Sequence, residues 1–193
     1  MRSSASRPVM TLSAFFLGFV LADPAFAGDF GCGGVCFNTL GQAETNCANT
    51  VLVKAGSYTL NNVVNWDGTK TVRVGDSTCT NVVNGSAAAF TAASNKRAFV
   101  VDAGAALTMI DISLAGGAPN SGNAGGNIIV NTGSTLHMSN GTLSNGTTIA
   151  ANGGCLAGGP DSTVTLSEVT VDGCTADGEG GGISIVGLGR GRN

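Results

Sequence analysis

The chain has 193 residues with nine Lys and Arg against twelve Asp and Glu, and only 11% of its residues are charged and 5% aromatic. So small and scattered an acidic excess offers no basic face to nucleic acid or to an anionic membrane. Low charge and few aromatics suit a disordered chain, but Val, Ile and Leu recur here in regularly spaced short runs, which points to β structure instead.

Arg2 and Arg7 open the chain, the apolar run TLSAFFLGFVLA (11–22) follows, and Ala25-Phe26-Ala27 has the small-x-small spacing of a cleavage site. This is the pattern of an export signal over 1–27, the apolar run being short for a membrane span. An uncleaved anchor is the alternative. Cleavage is expected before Gly28, and with no second apolar run the mature chain 28–193 is expected to be soluble and to form one domain.

Residues 28–50 carry Cys32, Cys36 and Cys47 and little periodicity, and are expected to form an N-terminal cap. Six cysteines in an exported chain favour disulfides over a metal site. CGGVC is not a zinc pattern, because the single histidine, His137, is distant in sequence. Cys32, Cys36, Cys47 and Cys79 lie close enough in sequence to staple the cap, with Cys155 and Cys174 as a later pair; the connectivity within the early four is open.

From 51 to 96 the strands VLVKAGSYTL, KTVRV and CTNVV are expected, separated by the turns NWDGT and GDST. Beyond them the sequence repeats. Gly-Gly doublets fall at 125–126, 153–154 and 181–182, a beat of 28 residues, while those at 33–34, 116–117 and 158–159 lie off it. The same beat aligns LTMIDISL (107–114), LHMSNGTL (136–143) and VTLSEVTV (164–171) to within one residue. Inside each segment apolar and polar residues alternate and then change phase at a polar pair. Alternation means a strand with one buried face, and the change of phase means a corner.

Self-similarity at fixed period is the signature of stacked repeats, and NTGSTLHMSNGTLSNGTT, rich in Asn-Gly and β-branched residues, opposes helix. The fold class expected is therefore all-β, a parallel β-solenoid with about three strands of four to five residues per coil, stacked about 4.8 Å apart. Coils are expected at 97–124, 125–152 and 153–180, with another starting at Gly181. Gly125, Gly126, Gly153, Gly154, Gly181 and Gly182 then mark corners needing positive φ or close backbone approach. A phosphate loop is excluded at GEGGGISI, because a strand-like segment follows the glycines where a helix is required.

AGSYTL, KRAFVVDAGAALTMIDISLAGG and NGGCLAGGPDSTVTLSEVTVDGCTADGEGGGISI together resemble the right-handed parallel β-helix repeat proteins of bacterial surfaces. That group includes polymorphic outer membrane proteins and autotransporter passengers, although the Phe-x-x-Asn element of the polymorphic proteins is missing. The resemblance covers about 50–187. It implies a right-handed coil and a surface-exposed or secreted scaffold of adhesin type, outer membrane associated if part of a longer passenger.

The same fold carries polysaccharide lyases and hydrolases, so its acidic groups are candidates for catalysis. A calcium-dependent lyase requires clustered carboxylates and a base; Asp161, Asp172 and Asp177, with Arg73 and Arg97, are the candidates. A hydrolase requires paired carboxylates, for which Asp102 and Asp111 are the best spaced. Matching acids one period away are missing, and Asp102 and Asp111 read as turn and corner residues. His137 reads as an outward surface residue. An ice-binding face requires a Thr-x-Thr ladder, and of the outward triplets Ala106-Thr108-Ile110, Thr135-His137-Ser139 and Thr163-Thr165-Ser167 only the last fits. Trp66 and Tyr58 are candidates for stacking on a sugar ring, with Trp66 placed in a turn or packed on the cap. Asn84, Asn140 and Asn145 begin glycosylation sequons.

The function expected is a non-enzymatic scaffold without cofactor or metal, binding surface glycans or cell-surface proteins through outward Thr, Ser and Asn faces. The alternative is a calcium-dependent lyase or hydrolase acting on acidic glycans. GLGRGRN supplies no terminal cap, so the chain is expected either to be truncated or to associate end to end.

Overall fold

The computed structural model describes residues 28–186; the leader 1–27 and the terminal GLGRGRN lie outside the described residues. Five coils of parallel strand stack on one another. The first is β3 (Thr50–Lys54), β4 (Gly56–Leu60) and β5 (Val64–Trp66), preceded by β1 (Phe30–Cys32), β2 (Val35–Phe37) and the helix α1 (Leu40–Asn46). The second is β6 (Thr69–Gly75), β7 (Ala88–Ala92) and β8 (Phe99–Val101), and the third is β9 (Ala106–Ile110), β10 (Ile112–Ala115) and β11 (Ile128–Val130). In the fourth, β12 (Thr135–Ser144) runs through the corner, followed by β13 (Thr147–Thr148) and β14 (Leu156–Gly158). The fifth repeats that plan with β15 (Thr163–Asp172), β16 (Thr175–Ala176) and β17 (Ile183–Ile185).

The strands make three faces. One is β3, β6, β9 and the first halves of β12 and β15; the second is β4, β7, β10 and their second halves; the third is β5, β8, β11, β14 and β17. Leu107, Leu136 and Val164 pair in register, as do Leu114, Leu143 and Val171, so alternation in sequence becomes inward columns. Those of the first four coils are buried, with Leu107, Met109, Leu136, Met138, Ile112, Leu114 and Leu143 at 0–1% exposure. In the fifth coil the equivalents Val164, Leu166, Val169, Val171 and Ile183 are half-buried, because among the described residues no further coil lies over them.

The corners use left-handed backbone at repeating positions. Asp111, Asn140 and Glu168 turn the first face into the second at φ 62°, 53° and 55°, which is the change of phase seen in sequence. The Gly-Gly doublets combine two requirements. Gly125 and Gly153 adopt φ 71° and 69°, which an L side chain resists. A Cβ on Gly126 would fall on the Gly154 carbonyl oxygen of the next coil, and one on Gly154 on the Gly181 carbonyl oxygen. In the fifth coil the left-handed glycine is Gly180 (φ 67°), one position ahead of 181–182. Leu156 accordingly pairs with Ile183, so this step is 27 residues, against 28 from Ile128 to Leu156.

The cap closes the first coil. β1 and β2 form an antiparallel hairpin, and β1 pairs antiparallel with β3, ending the parallel stack on that side. The Thr39 side chain caps α1 by accepting from the Gln42 N–H at 3.2 Å, and Leu40 and Ala43 are buried beneath it. Cys32–Cys47 closes the cap, Cys36–Cys79 ties its hairpin to the second coil, and Cys155–Cys174 joins the fourth coil to the fifth. Three disulfides fit an oxidising, extracellular compartment. No helix of the described residues is long and apolar enough to cross a membrane.

Two local expectations are corrected. CTNVV is not a strand: the Asp76 carboxylate accepts from the Thr78 and Thr80 N–H groups at 3.1 and 3.0 Å and from Asn81 Nδ2 at 2.9 Å, winding 76–81 into a loop. Only Val82 makes an isolated antiparallel bridge, to Gly75. Trp66 is not in a turn either. It ends β5, pairs with Val101 and is 1% exposed, its ring edge-on to Phe99 at 5.4 Å.

Candidate functional site

The acids do not converge. Asp161 sits at the left-handed corner before β15 (φ 56°), Asp172 ends β15, and Asp177 follows β16, where its carboxylate accepts from the Ala150 N–H at 3.4 Å. Three different corners of one coil cannot present three ligands to one ion, and no metal-holding group of three His, Cys, Asp or Glu exists among the described residues. Arg73 reaches Asn84 Oδ1 at 3.2 Å on the flank of the second coil. Arg97 is buried before β8, and that burial pulls its guanidinium below the ordinary value.

Asp102 and Asp111 stand at opposite ends of β9, which at the strand rise spans about 17 Å, beyond the roughly 5–10 Å that glycoside hydrolysis requires. Asp102 serves its turn: its carbonyl accepts from the Ala105 N–H at 2.9 Å and from the Ser134 hydroxyl at 2.6 Å. His137 points outward and is exposed, as are Asn84, Asn140 and Asn145.

The outward triplets do come into register, and an earlier coil adds Thr69-Thr71-Arg73. The hydroxyl ladder is interrupted by Ala106, Ile110, His137 and Arg73. It is a hydroxyl-bearing face broken by one cation and by apolar side chains, not a continuous Thr lattice.

Tyr58 is turned partly inward. It lies in the inward column with Phe90 and Leu114, and its ring packs against Phe30 at 4.9 Å and Phe90 at 5.5 Å. It is half-buried there and also forms part of the lining of the cleft described below. Its hydroxyl donates to the Lys54 carbonyl at 2.9 Å, and burial, helped by the charge of Asp29, pushes the phenol up to about 12.

What the sequence did not disclose is a cleft of about 410 Å³ between cap residues 38–41 and residues 58–64 of the first coil. Phe30, Leu40, Leu60 and Val64 supply a buried apolar floor. Asn38, Thr59, Asn61 and Asn62 form an exposed rim, and among the described residues none of these four side chains is engaged in a hydrogen bond. The one carboxylate of the lining, Asp29, is paired with Lys54 at 3.0 Å, and Tyr58 stays protonated at neutral pH, so the cleft presents a neutral lining. A second hollow of about 350 Å³ near Ile129 and Ala157 is walled mainly by Gly and Ala with few polar groups. NNVVN (61–65) carried the only available signal, an amide pair on the corner after an aromatic strand.

Comparison of the chain with protein-family models, curated proteins and solved structures returned no match.

Proposed function

We propose that this chain is an extracellular, non-enzymatic β-solenoid scaffold of adhesin or passenger type, held at a cell surface, whose cap cleft binds a neutral carbohydrate. The observation that carries the reading is the lining of that cleft. Its size falls in the range of ligand sites, about 300–1,000 Å³. Amides and a hydroxyl that both donate and accept, set over an apolar floor, match the alternating hydroxyl and C–H surface of a sugar. The ion pair Lys54–Asp29 leaves no net charge to select an anionic ligand. The outward Thr and Ser residues extend the same hydroxyl chemistry along the coil.

The test is calorimetric titration of the purified, oxidised chain with cellohexaose, chitohexaose and maltohexaose, and with polygalacturonate in the presence and absence of calcium. Binding of a neutral hexasaccharide that weakens at least tenfold in Asn61→Ala/Asn62→Ala is expected. No binding to any neutral oligosaccharide overturns the cleft, and unsaturated product from polygalacturonate with calcium overturns the non-enzymatic scaffold.

A further inference from the structure

The disulfide Cys155–Cys174 has a surrounding that the other two lack. Cys155 is fully buried, and its Sγ receives two N–H groups, from the Gly146 backbone and from Asn127 Nδ2, each at 3.3 Å. Asn127 is fixed in place by its other hydrogen bonds. It too is fully buried, its Oδ1 accepts from the Gly117 N–H at 2.7 Å, and its Nδ2 also meets the carbonyls of Ser144 at 2.9 Å and Leu114 at 3.3 Å. Gly146 is suited to its contact with the sulfur, because a Cβ there would press on Cys155 Cα and Sγ.

A sulfur in a disulfide is a weak acceptor, whereas a thiolate is a strong one. Two fixed N–H donors on Cys155 Sγ are therefore aimed at a charge that exists only once the bond has opened, the arrangement that stabilises a leaving group. The other half of the pair is placed for attack. Cys174 is half-exposed on the fifth coil, where among the described residues no coil covers it. Each cap pair likewise joins a half-buried cysteine, Cys32 or Cys36, to a buried one, Cys47 or Cys79, but no N–H donor meets a cap sulfur among the described residues, so the donors are what set Cys155–Cys174 apart.

We propose that Cys155–Cys174 is a reducible latch on the last coil, opened from the Cys174 side by a dithiol, either a small molecule or a dithiol oxidoreductase. One thiolate of the dithiol attacks Cys174 Sγ. A new S–S bond forms, the old one breaks, and the electron pair leaves on Cys155 Sγ as a thiolate held by Gly146 and Asn127. The second thiolate of the dithiol then attacks its own sulfur of the mixed disulfide and releases the Cys174 thiolate, which takes a proton from water. The dithiol is oxidised by two electrons and the protein disulfide is reduced by two. Opening removes the disulfide that cross-links the fifth coil to the fourth, leaving β15, β16 and β17 held by the main chain and their strand pairing, and leaves the cap intact.

The experiment is reduction of the folded chain with limiting dithiothreitol, quenched by alkylation and mapped by mass spectrometry. Cys155 and Cys174 are expected to label at least tenfold faster than all four cap cysteines. With glutathione and a rapid quench, the mixed disulfide is expected on Cys174. Labelling no faster than the cap pairs, or a glutathione adduct on Cys155, overturns the proposal. Asn127→Asp keeps the acceptor for Gly117 and removes the donor to sulfur together with those to the Ser144 and Leu114 carbonyls. It is expected to slow reduction at this pair at least fivefold relative to the cap pairs, and an unchanged or faster relative rate counts against the latch. If that variant does not fold, the order of reduction in the unaltered chain decides.

Discussion

Lys70 Nζ donates to the carbonyl of Cys47 at 2.6 Å, and to that of Glu44 at 2.8 Å, from a position that belongs to the core. In register it stands in the inward column with Leu107, Leu136 and Val164, and it is 7% exposed. A lysine replaces a leucine there because the column ends against the last turn of α1, whose free carbonyls require donors. The Glu44 carboxylate lies 3.9 Å from the same ammonium, and burial raises its pKa above the ordinary range.

Lys70→Leu is therefore expected to destabilise the chain by about 2–4 kcal/mol although it restores the apolar column. The substitution strands two buried carbonyls and leaves Glu44 without its cation. Urea unfolding measures this, and Glu44→Gln in the Lys70→Leu background is expected to recover part of the loss.

Gly154→Ala is expected to cost about 3 kcal/mol or more, or to prevent folding, because its Cβ would meet backbone of the next coil, which cannot move aside. Gly104→Ala is the control. It has φ 78° but open space around its Cα, so backbone strain alone sets a cost of about 1 kcal/mol. Equal losses in thermal unfolding would show that close approach between coils does not constrain the doublets.

Tyr58 is the single tyrosine of the chain, so its phenolate absorbance reports one site. The expected midpoint is about 12. The folded phenol holds its proton more tightly than the unfolded one, so the stability it contributes is complete below about pH 10 and is lost as pH rises toward 12. Tyr58→Phe is expected to flatten that alkaline loss in a melting series and to cost about 1 kcal/mol at neutral pH for the missing bond to Lys54.

Hydrogen bonds from the Thr80 backbone and the Asn81 side chain hold the Asp76 carboxyl well below the usual carboxylate range. The sign is opposite to that of Tyr58: the contribution is present above the ordinary value of 3.8 and is lost as pH falls through the lowered folded value. Asp76→Asn is expected to lower the melting temperature at neutral pH, with the gap to the unaltered chain closing in strong acid. A gap independent of pH would refute the role of the charge.

Replacing both Cys155 and Cys174 by Ala is expected to cost about 3 kcal/mol, the loop-closure value for the 19-residue separation. Hydrogen exchange should show the loss of protection first in the fifth coil, where the inward residues are half-buried. Loss spread evenly over all coils would mean that the stack unfolds only as a unit.

The sequence by itself determined the coil. A period of about 28, alternation inside each segment and left-handed corners are local properties, set by side-chain direction and by which residues tolerate positive φ, so they are legible without any partner. Leu107, Leu136 and Val164 align on the page as they do in space. What the tertiary structure decided depends on pairs far apart in the chain. Tyr58 and Trp66 look like free aromatics until register with Phe90 and Val101 turns them inward. Lys70 looks like a surface charge until α1 lies over it. Asn61 and Asn62 become the rim of a cleft only because the cap folds back across the first coil, and Cys155 acquires its two N–H donors from residues 9 and 28 positions away. Burial and hydrogen-bond partnership belong to the assembled stack, and no local spacing encodes them.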